Sequence, residues 1–217
     1  MIKQNTIELF SGTESFSKVA RELGHSTFTI DNNPHLKPDQ CADFLQLPII
    51  DFSDEDWDIC WASPPCSAFS VASIGKHWKI GNRGHIPKSD TARLGLKLLD
   101  RTIEWISKVR PEEWFIENPR GAMRKVIDNI FEKHGITDYR RITITYCQYG
   151  DNRMKPTDIW TNNRTWKPRP MCKNGDKCHI SAPRGSRTGT QGLASSIERA
   201  VIPKELFIEI FRQREGI

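Results

Sequence analysis

Long apolar runs are missing from this sequence: none approaches the roughly 20 residues that a membrane-spanning helix requires, which argues against a helical membrane protein. The first residues, Met1 to Asn5, lack the basic-then-apolar pattern of a secretory signal, so the chain is expected to stay in the compartment where it is made. Internal repeats and low-complexity tracts are absent too, which removes the repeat architectures. Cysteine is present but forms no framework. The six residues stand at irregular positions, 41, 60, 66, 147, 172 and 178, and free thiols are expected. An excess of one charge is nearly lacking as well: 32 Lys and Arg oppose 27 Asp and Glu, a formal net charge of +5 that favours polyanions only weakly. The basic residues are unevenly placed, however, and gather in residues 76–93 and 140–187.

What is present suits one soluble main domain with a small appendage: 217 residues, 37% hydrophobic and 27% charged. Thr6 to Phe10 reads as a buried strand. Ser11 and Gly12 make a turn, and Phe16, Val19, Ala20 and Leu23 follow at helical spacing. Ser26 to Ile30 is a second strand with Asp31 at its end, completing a βαβ unit and hence the start of a mostly parallel sheet. Trp57 to Ala62 runs as a strand into Ser63, Pro64, Pro65 and Cys66, where two prolines stiffen the exit. Residues 67–90 show no apolar period and read as a long mobile loop. A helix from Thr91 stops before Pro111, the strand Trp114 to Ile116 leads into Glu117, Asn118 and Pro119, and a second helix carries Met123 to Phe131. Strand candidates at Arg141 to Tyr146 and Asp158 to Thr161 complete this region. Residues 162–192 are an irregular basic excursion, and the chain returns to order in a helix after Pro203.

In an open α/β sheet, ligands bind beyond the carboxyl ends of the strands. Four polar clusters fall at such ends: residues 11–14, Asp31, residues 63–66 and residues 117–119. A glycine turn lets backbone approach a ligand closely, and a strand-end carboxylate can bind both hydroxyls of a ribose, although either feature alone is common in unrelated proteins. Most cysteines are inert small hydrophobes, and Cys41, Cys60 and Cys147 are read that way. Cys66 differs: it follows two prolines, precedes a basic glycine-rich segment and should face Glu117.

Taken in order, Leu9, Phe10, Ser11, Gly12, then Ser63, Pro64, Pro65, Cys66, then Glu117, Asn118, Pro119 resemble successive signature motifs of the DNA cytosine-C5 methyltransferases, in a minimal phage- or bacterial-type form. Asp31 resembles the acidic residue that holds the cofactor's ribose, Ala42, Asp43 and Phe44 resemble the adenine-binding motif, and Asp90 with Arg93 resembles the next block. The resemblance runs from about residue 6 to 161, with an echo at 195–212. It implies an α/β, Rossmann-like S-adenosylmethionine-dependent methyltransferase fold. Residues 1–161 would form the catalytic domain, 162–192 a small target-recognition region, and 193–217 a returning segment. It also implies S-adenosylmethionine as cofactor at Phe10, Ser11, Gly12, Asp31, Asp43, Phe44 and Pro64. Double-stranded DNA would be the partner of a monomer in the cytoplasm of a bacterial or phage-infected cell.

The chemistry agrees. C5 of cytosine is a poor nucleophile until a thiolate adds at C6, the role assigned to Cys66, while Glu117 would orient the ring and act as acid near N3. Lys155 is the expected positive contact to the base, standing in a block where the family has Gln-Arg-Arg and this chain has Arg153, Lys155 and Thr157. The target nucleotide must leave the duplex. Lys76, His77, Lys79, Arg83, Lys88 and Arg93 are assigned to phosphates, and Trp78 to wedging or stacking. In the excursion, Arg164, Lys167, Arg169, Lys173 and Lys177 are expected to grip phosphates and Arg184, Arg187, Thr190 and Gln191 to reach base edges; so small a region suits a target of about two to four base pairs. After Gly12 the family's glycine-rich continuation is replaced by Thr13, Glu14 and Ser15. Cys172, Cys178 and His179 lack a visible fourth ligand, so no metal is expected. The alternatives are a tRNA cytosine-C5 methyltransferase, an inactive DNA-binding relative, and a Rossmann-type protein unrelated to methylation.

Overall fold

The computed structural model describes residues 2–81, 84–173, 175–180, 193 and 195–216. Its elements in chain order are β1 (Asn5–Leu9), α1 (Ser15–Glu22), β2 (Ser26–Asp31), β3 (Gln40–Cys41), β4 (Ile59–Ala62), α2 (Ile74–His77), β5 (Trp78–Gly81), β6 (Gly84–Pro87), α3 (Asp90–Val109), β7 (Glu113–Pro119), α4 (Ile127–Lys133), β8 (Arg140–Thr145), β9 (Pro156–Thr161), α5 (Ser196–Ala200) and α6 (Lys204–Arg214). Seven strands form one sheet in the order β3-β2-β1-β4-β7-β9-β8. The pairs from β3 to β7 are parallel, whereas β9 runs against both β7 and β8. This is the expected α/β architecture, with a reversed strand near one edge.

Period-two alternation sends side chains to two cores. On β4, Cys60 and Ala62 join the layer under α3 and α4, while Ile59 and Trp61 face α1 and α6. Phe16 of α1 stacks on Trp61 and on Phe211 of α6, so the chain's last helix closes over its first. The sheet is thus covered on both faces, as a mostly parallel sheet must be.

One expectation changes here. Residues 67–90 are not a structureless loop: β5 and β6 form an antiparallel hairpin, in register from Trp78↔Pro87 to Gly81↔Gly84. Trp78 anchors it; the side chain is buried, its Nε1 donates to the Ala68 carbonyl at 2.6 Å, and its ring lies 5.7 Å from that of Phe69. The start of the 162–192 excursion, irregular in backbone as expected, lies against the main body. Trp166 is fully buried, stands edge-on to Phe115 and donates to Glu209 at 3.0 Å.

Candidate active site

The sheet explains why distant sequence segments meet. β1, β4 and β7 are parallel neighbours, with Leu9 opposite Ala62 and Ala62 opposite Ile116, so their exits release Phe10, Ser63 and Glu117 along one edge. Because β9 is reversed, with Thr157 opposite Pro119, its beginning lies at that same edge and brings Lys155 there. β8 runs opposite to β9 and so finishes there too, followed directly by Tyr146.

Cys66 is exposed at the mouth of this edge, yet surrounding protein atoms withdraw enough water to raise its thiol pKa. The Glu117 carboxylate raises it further, and Lys155 and Arg199 act in the opposite direction. The loop bearing Cys66 is tied down: Asn118 Nδ2 donates to the Pro64 carbonyl at 2.8 Å, and Ala122 N donates to the Phe69 carbonyl at 2.7 Å. Gly121 makes that approach feasible, since a Cβ there would stand 2.0 Å from the Phe69 oxygen.

Glu117 is buried, and desolvation raises its pKa against the opposing influence of Lys155 and of hydrogen bonds from Tyr146 and Ser63. Tyr146, also buried, donates its hydroxyl to Glu117 Oε1 at 3.0 Å. The Lys155 ammonium lies 4.7 Å from the Tyr146 ring centroid and donates to the Arg199 carbonyl at 3.1 Å. Arg153 has a different task. It pairs with Asp151 and donates to the carbonyls of Glu198, Arg199 and Val201, pinning α5 beside the site. Thus Cys66 and Glu117, the pair expected from the strand ends, lie at one edge with Lys155, expected from the family resemblance alone, and Tyr146, Arg153 and Arg199 join them. Tyr146 was discoverable by the same rule, since it ends the alternating segment beginning at Arg141.

A second group surrounds the exit of β1. Phe10, Gly12 and Glu14 all have positive φ, at 58°, 49° and 54°, left-handed backbone that is strained at Phe10 and Glu14 and easily adopted by the glycine. Asp31 holds this turn: its Oδ2 accepts from Gly12 N and its Oδ1 from Asn33 N, both at 2.9 Å. Among the described residues, the Oγ of buried Ser11 has no partner, nor has Oδ1 of Asn118 nearer Cys66. Phe44 is buried edge-on to Phe10 with centroids 4.9 Å apart, and Asp43 beside it is exposed, its Oδ1 accepting from Leu45 N. Pro64 is buried. Ile202 N donates to Ser15 Oγ at 3.1 Å, joining the returning segment to this turn.

The presumed nucleic-acid contacts divide. Lys76, Lys79 and Lys88 are exposed on or beside the hairpin, but His77 is buried and bonded to Ser89 at 2.6 Å, and Trp78 is a core anchor rather than a wedge. Arg93 is exposed and paired with Asp90 at 2.8 Å. Arg164 pairs with Asp138, and Arg169 pairs with Glu209 at 2.8 Å. Arg83, Arg184, Arg187, Thr190 and Gln191 lie outside the described residues. Cys147 is buried, as an inert core thiol would be, but it faces Cys172 with their sulfurs 3.1 Å apart. Among the described residues, no helix is long and apolar enough to cross a membrane.

No family model matches the chain. A Frog virus 3 (isolate Goorha) protein described as a probable DNA (cytosine-5)-methyltransferase is 29% identical over 221 residues, spanning 94% of this chain and 97% of the relative. A crystal structure described as that of a putative DNA modification methyltransferase encoded within an E. coli prophage superposes with a TM-score of 0.54 at 18% identity, over 73% of this chain and 46% of that one. The S. pombe Dnmt2 methyltransferase gives 0.50 at 18% identity, over 75% and 51%. The chain thus spans about half the length of these solved structures, which share its fold, and nearly the whole length of the viral relative.

Proposed function

We propose that this chain, a member of the DNA (cytosine-5)-methyltransferase family by its motifs and its viral relative, methylates C5 of cytosine in DNA through a covalent bond from Cys66 to C6 of an extruded base. The observation that carries the proposal is the meeting of an exposed thiol with a buried carboxyl group, whose pKa burial raises, and a lysine at one sheet edge. Glu117 in its acid form can hydrogen-bond at N3 while the Cys66 thiolate adds at C6. Protonation of Glu117 also removes the negative charge that opposes ionisation of Cys66, leaving Lys155 and Arg199 as nearby favourable charges. Lys155 then faces the negative charge that addition places on the ring. Methyl transfer forms the new bond at C5. Loss of the C5 proton to water and expulsion of Cys66 as thiolate restore the aromatic ring and the enzyme.

S-adenosylmethionine, when bound, supplies the electrophilic methyl group. The residues around the β1 exit fit it. Ser11 offers an unpartnered buried hydroxyl, and the strained turn ending in Gly12 brings backbone close. Each oxygen of Asp31 accepts one backbone N–H and so retains capacity for a ribose hydroxyl. Phe10 and Phe44 would border the adenine, with Asp43 available to its amino group and Pro64 walling the site towards Cys66. Exposed Lys76, Lys79 and Arg93 are placed to meet phosphates, and residues 162–192, including Arg184, Arg187 and Gln191, remain the proposed target reader.

The test is incubation with tritiated S-adenosylmethionine and either duplex DNA or total tRNA, followed by mass spectrometry of the nucleosides. 5-Methyldeoxycytidine in the DNA arm is expected. Cys66→Ala should abolish it while leaving cofactor affinity intact, and a 5-fluorocytosine duplex should trap a covalent complex with the native protein only. Methylation confined to tRNA, or normal turnover by the alanine variant, would overturn the proposal.

A further inference from the structure

We infer that Cys147, Cys172, Cys178 and His179 form a structural zinc site that clamps the start of the recognition excursion to the catalytic edge of the sheet. Their ligand atoms, three Sγ and the imidazole nitrogen, all lie within 4.8 Å of one another. The Sγ separations are 3.1 Å between Cys147 and Cys172 and 3.6 Å between Cys178 and Cys147. Nδ1 of His179 stands 3.8 Å from Cys172 Sγ and 3.6 Å from Cys178 Sγ. A tetrahedral zinc with Zn–S bonds of about 2.3 Å and Zn–N of about 2.0–2.1 Å has edges of roughly 3.8 Å between sulfurs and roughly 3.6 Å from sulfur to nitrogen. The cluster therefore has nearly the dimensions of an occupied site. Three thiols and an imidazole converging on one point gain little from one another, whereas a divalent cation satisfies all four. A disulfide would use only two of the sulfurs and leave Cys178 and His179 without a reason to converge.

Sequence spacing hides this arrangement because the fourth ligand belongs to the catalytic domain. Cys147 sits in the 3-10 turn after β8, immediately after Tyr146, whereas the other three ligands come from the excursion. Main-chain bonds pre-shape the junction. Cys172 N donates to Thr145 Oγ1 at 3.0 Å, and Ile180 N donates to the Asn152 carbonyl at 2.8 Å. Between the ligands, Lys173 N donates to Asp176 Oδ2 at 2.6 Å, closing a tight turn that displays exposed Lys173 and Lys177. Gln148 Nε2 reaches the Cys178 sulfur at 3.5 Å, the kind of outer contact that supports a metal-bound thiolate. Four protein ligands leave no open coordination position, so the site is structural rather than catalytic. Zinc would set the basic excursion in place relative to Tyr146 and Glu117, a role independent of how the methyl group is transferred.

The experiment is elemental analysis of the full-length protein purified with zinc supplied, reductant present and no chelator, followed by cobalt(II) titration of the metal-stripped protein. One zinc per chain and the intense thiolate-to-cobalt absorption of a tetrahedral site are expected. Cys172→Ser and Cys178→Ser should each lower zinc occupancy about fivefold or more, while Cys41→Ser, remote from the cluster, keeps it. His179→Cys should retain metal, which separates loss of a ligand from loss of fold. Absence of zinc from the native protein, unchanged zinc in both serine variants, or a Cys147–Cys172 disulfide in place of metal under these conditions would overturn the inference.

Discussion

Replacing Tyr146 with phenylalanine removes one hydroxyl and should move the pH dependence of catalysis in a defined direction. That hydroxyl donates to Glu117 Oε1 at 3.0 Å, in a setting where both side chains are buried. Burial and the adjacent carboxylate push the tyrosine's own pKa well above its ordinary range, so it remains a donor throughout the working pH. A hydrogen bond to a charged group contributes about 1.5–3 kcal/mol. Since about 1.4 kcal/mol corresponds to one pH unit, losing this bond to the ionised form of Glu117 should raise its pKa by about one to two units. Glu117 acts as an acid, so its active fraction falls as pH rises through its pKa, and the bend that it imposes on the profile should move to higher pH by that amount. The bend set by ionisation of Cys66 should stay or move slightly lower, because a more persistently neutral Glu117 repels the thiolate less. The measurement is single-turnover methyl transfer to duplex DNA across the pH range, with the phenyl ring still beneath the Lys155 ammonium in the variant. A profile in which no bend moves to higher pH would refute the reasoning.

Asp31→Ala should weaken S-adenosylmethionine binding by about 1.5–3 kcal/mol and also lower thermal stability, because the same carboxylate accepts from Gly12 N and Asn33 N; calorimetry and a melting curve measure the two effects. Gly121→Ala must displace backbone, the added Cβ meeting the Phe69 carbonyl oxygen at 2.0 Å, so turnover should fall at least about tenfold with cofactor affinity retained. Burial raises the pKa of Glu8, under the start of α1, from 4.5 to about 7, even though Phe16 N and Ser17 N donate to it. The native state therefore binds this proton more tightly than the unfolded chain, and the associated stability is present below about pH 4.5 and lost as pH rises through about 7. Urea unfolding of Glu8→Gln should shift in the variant's favour, relative to the native chain, by on the order of 3 kcal/mol between about pH 4 and pH 8.

Local chemistry alone makes much of this protein legible. Apolar segments at strand or helix period located β1, β2, β4 and β7, the helices α1, α3 and α6, and the polar residues at strand exits, because burial selects side chains every second or every third to fourth position. The carboxyl-end rule for parallel sheets then placed Cys66 near Glu117 and Asp31 near Gly12. Tertiary structure decided what depends on pairing between distant segments. Reversal of β9 brings Lys155 to the edge where β7 ends, and no local period encodes the direction in which a strand joins its sheet. Trp78 is an anchor because Ala68 and Phe69 lie against it, although an aromatic in a basic segment is equally suited to stacking on a base. Cys147 was indistinguishable from a core thiol until the fold placed the sulfurs of Cys172 and Cys178 beside it, since which side chains share one point in space is set by chain path rather than composition. Residue types and their periods decide which groups reach the sheet edge; only the packed order of the strands decides which of them meet.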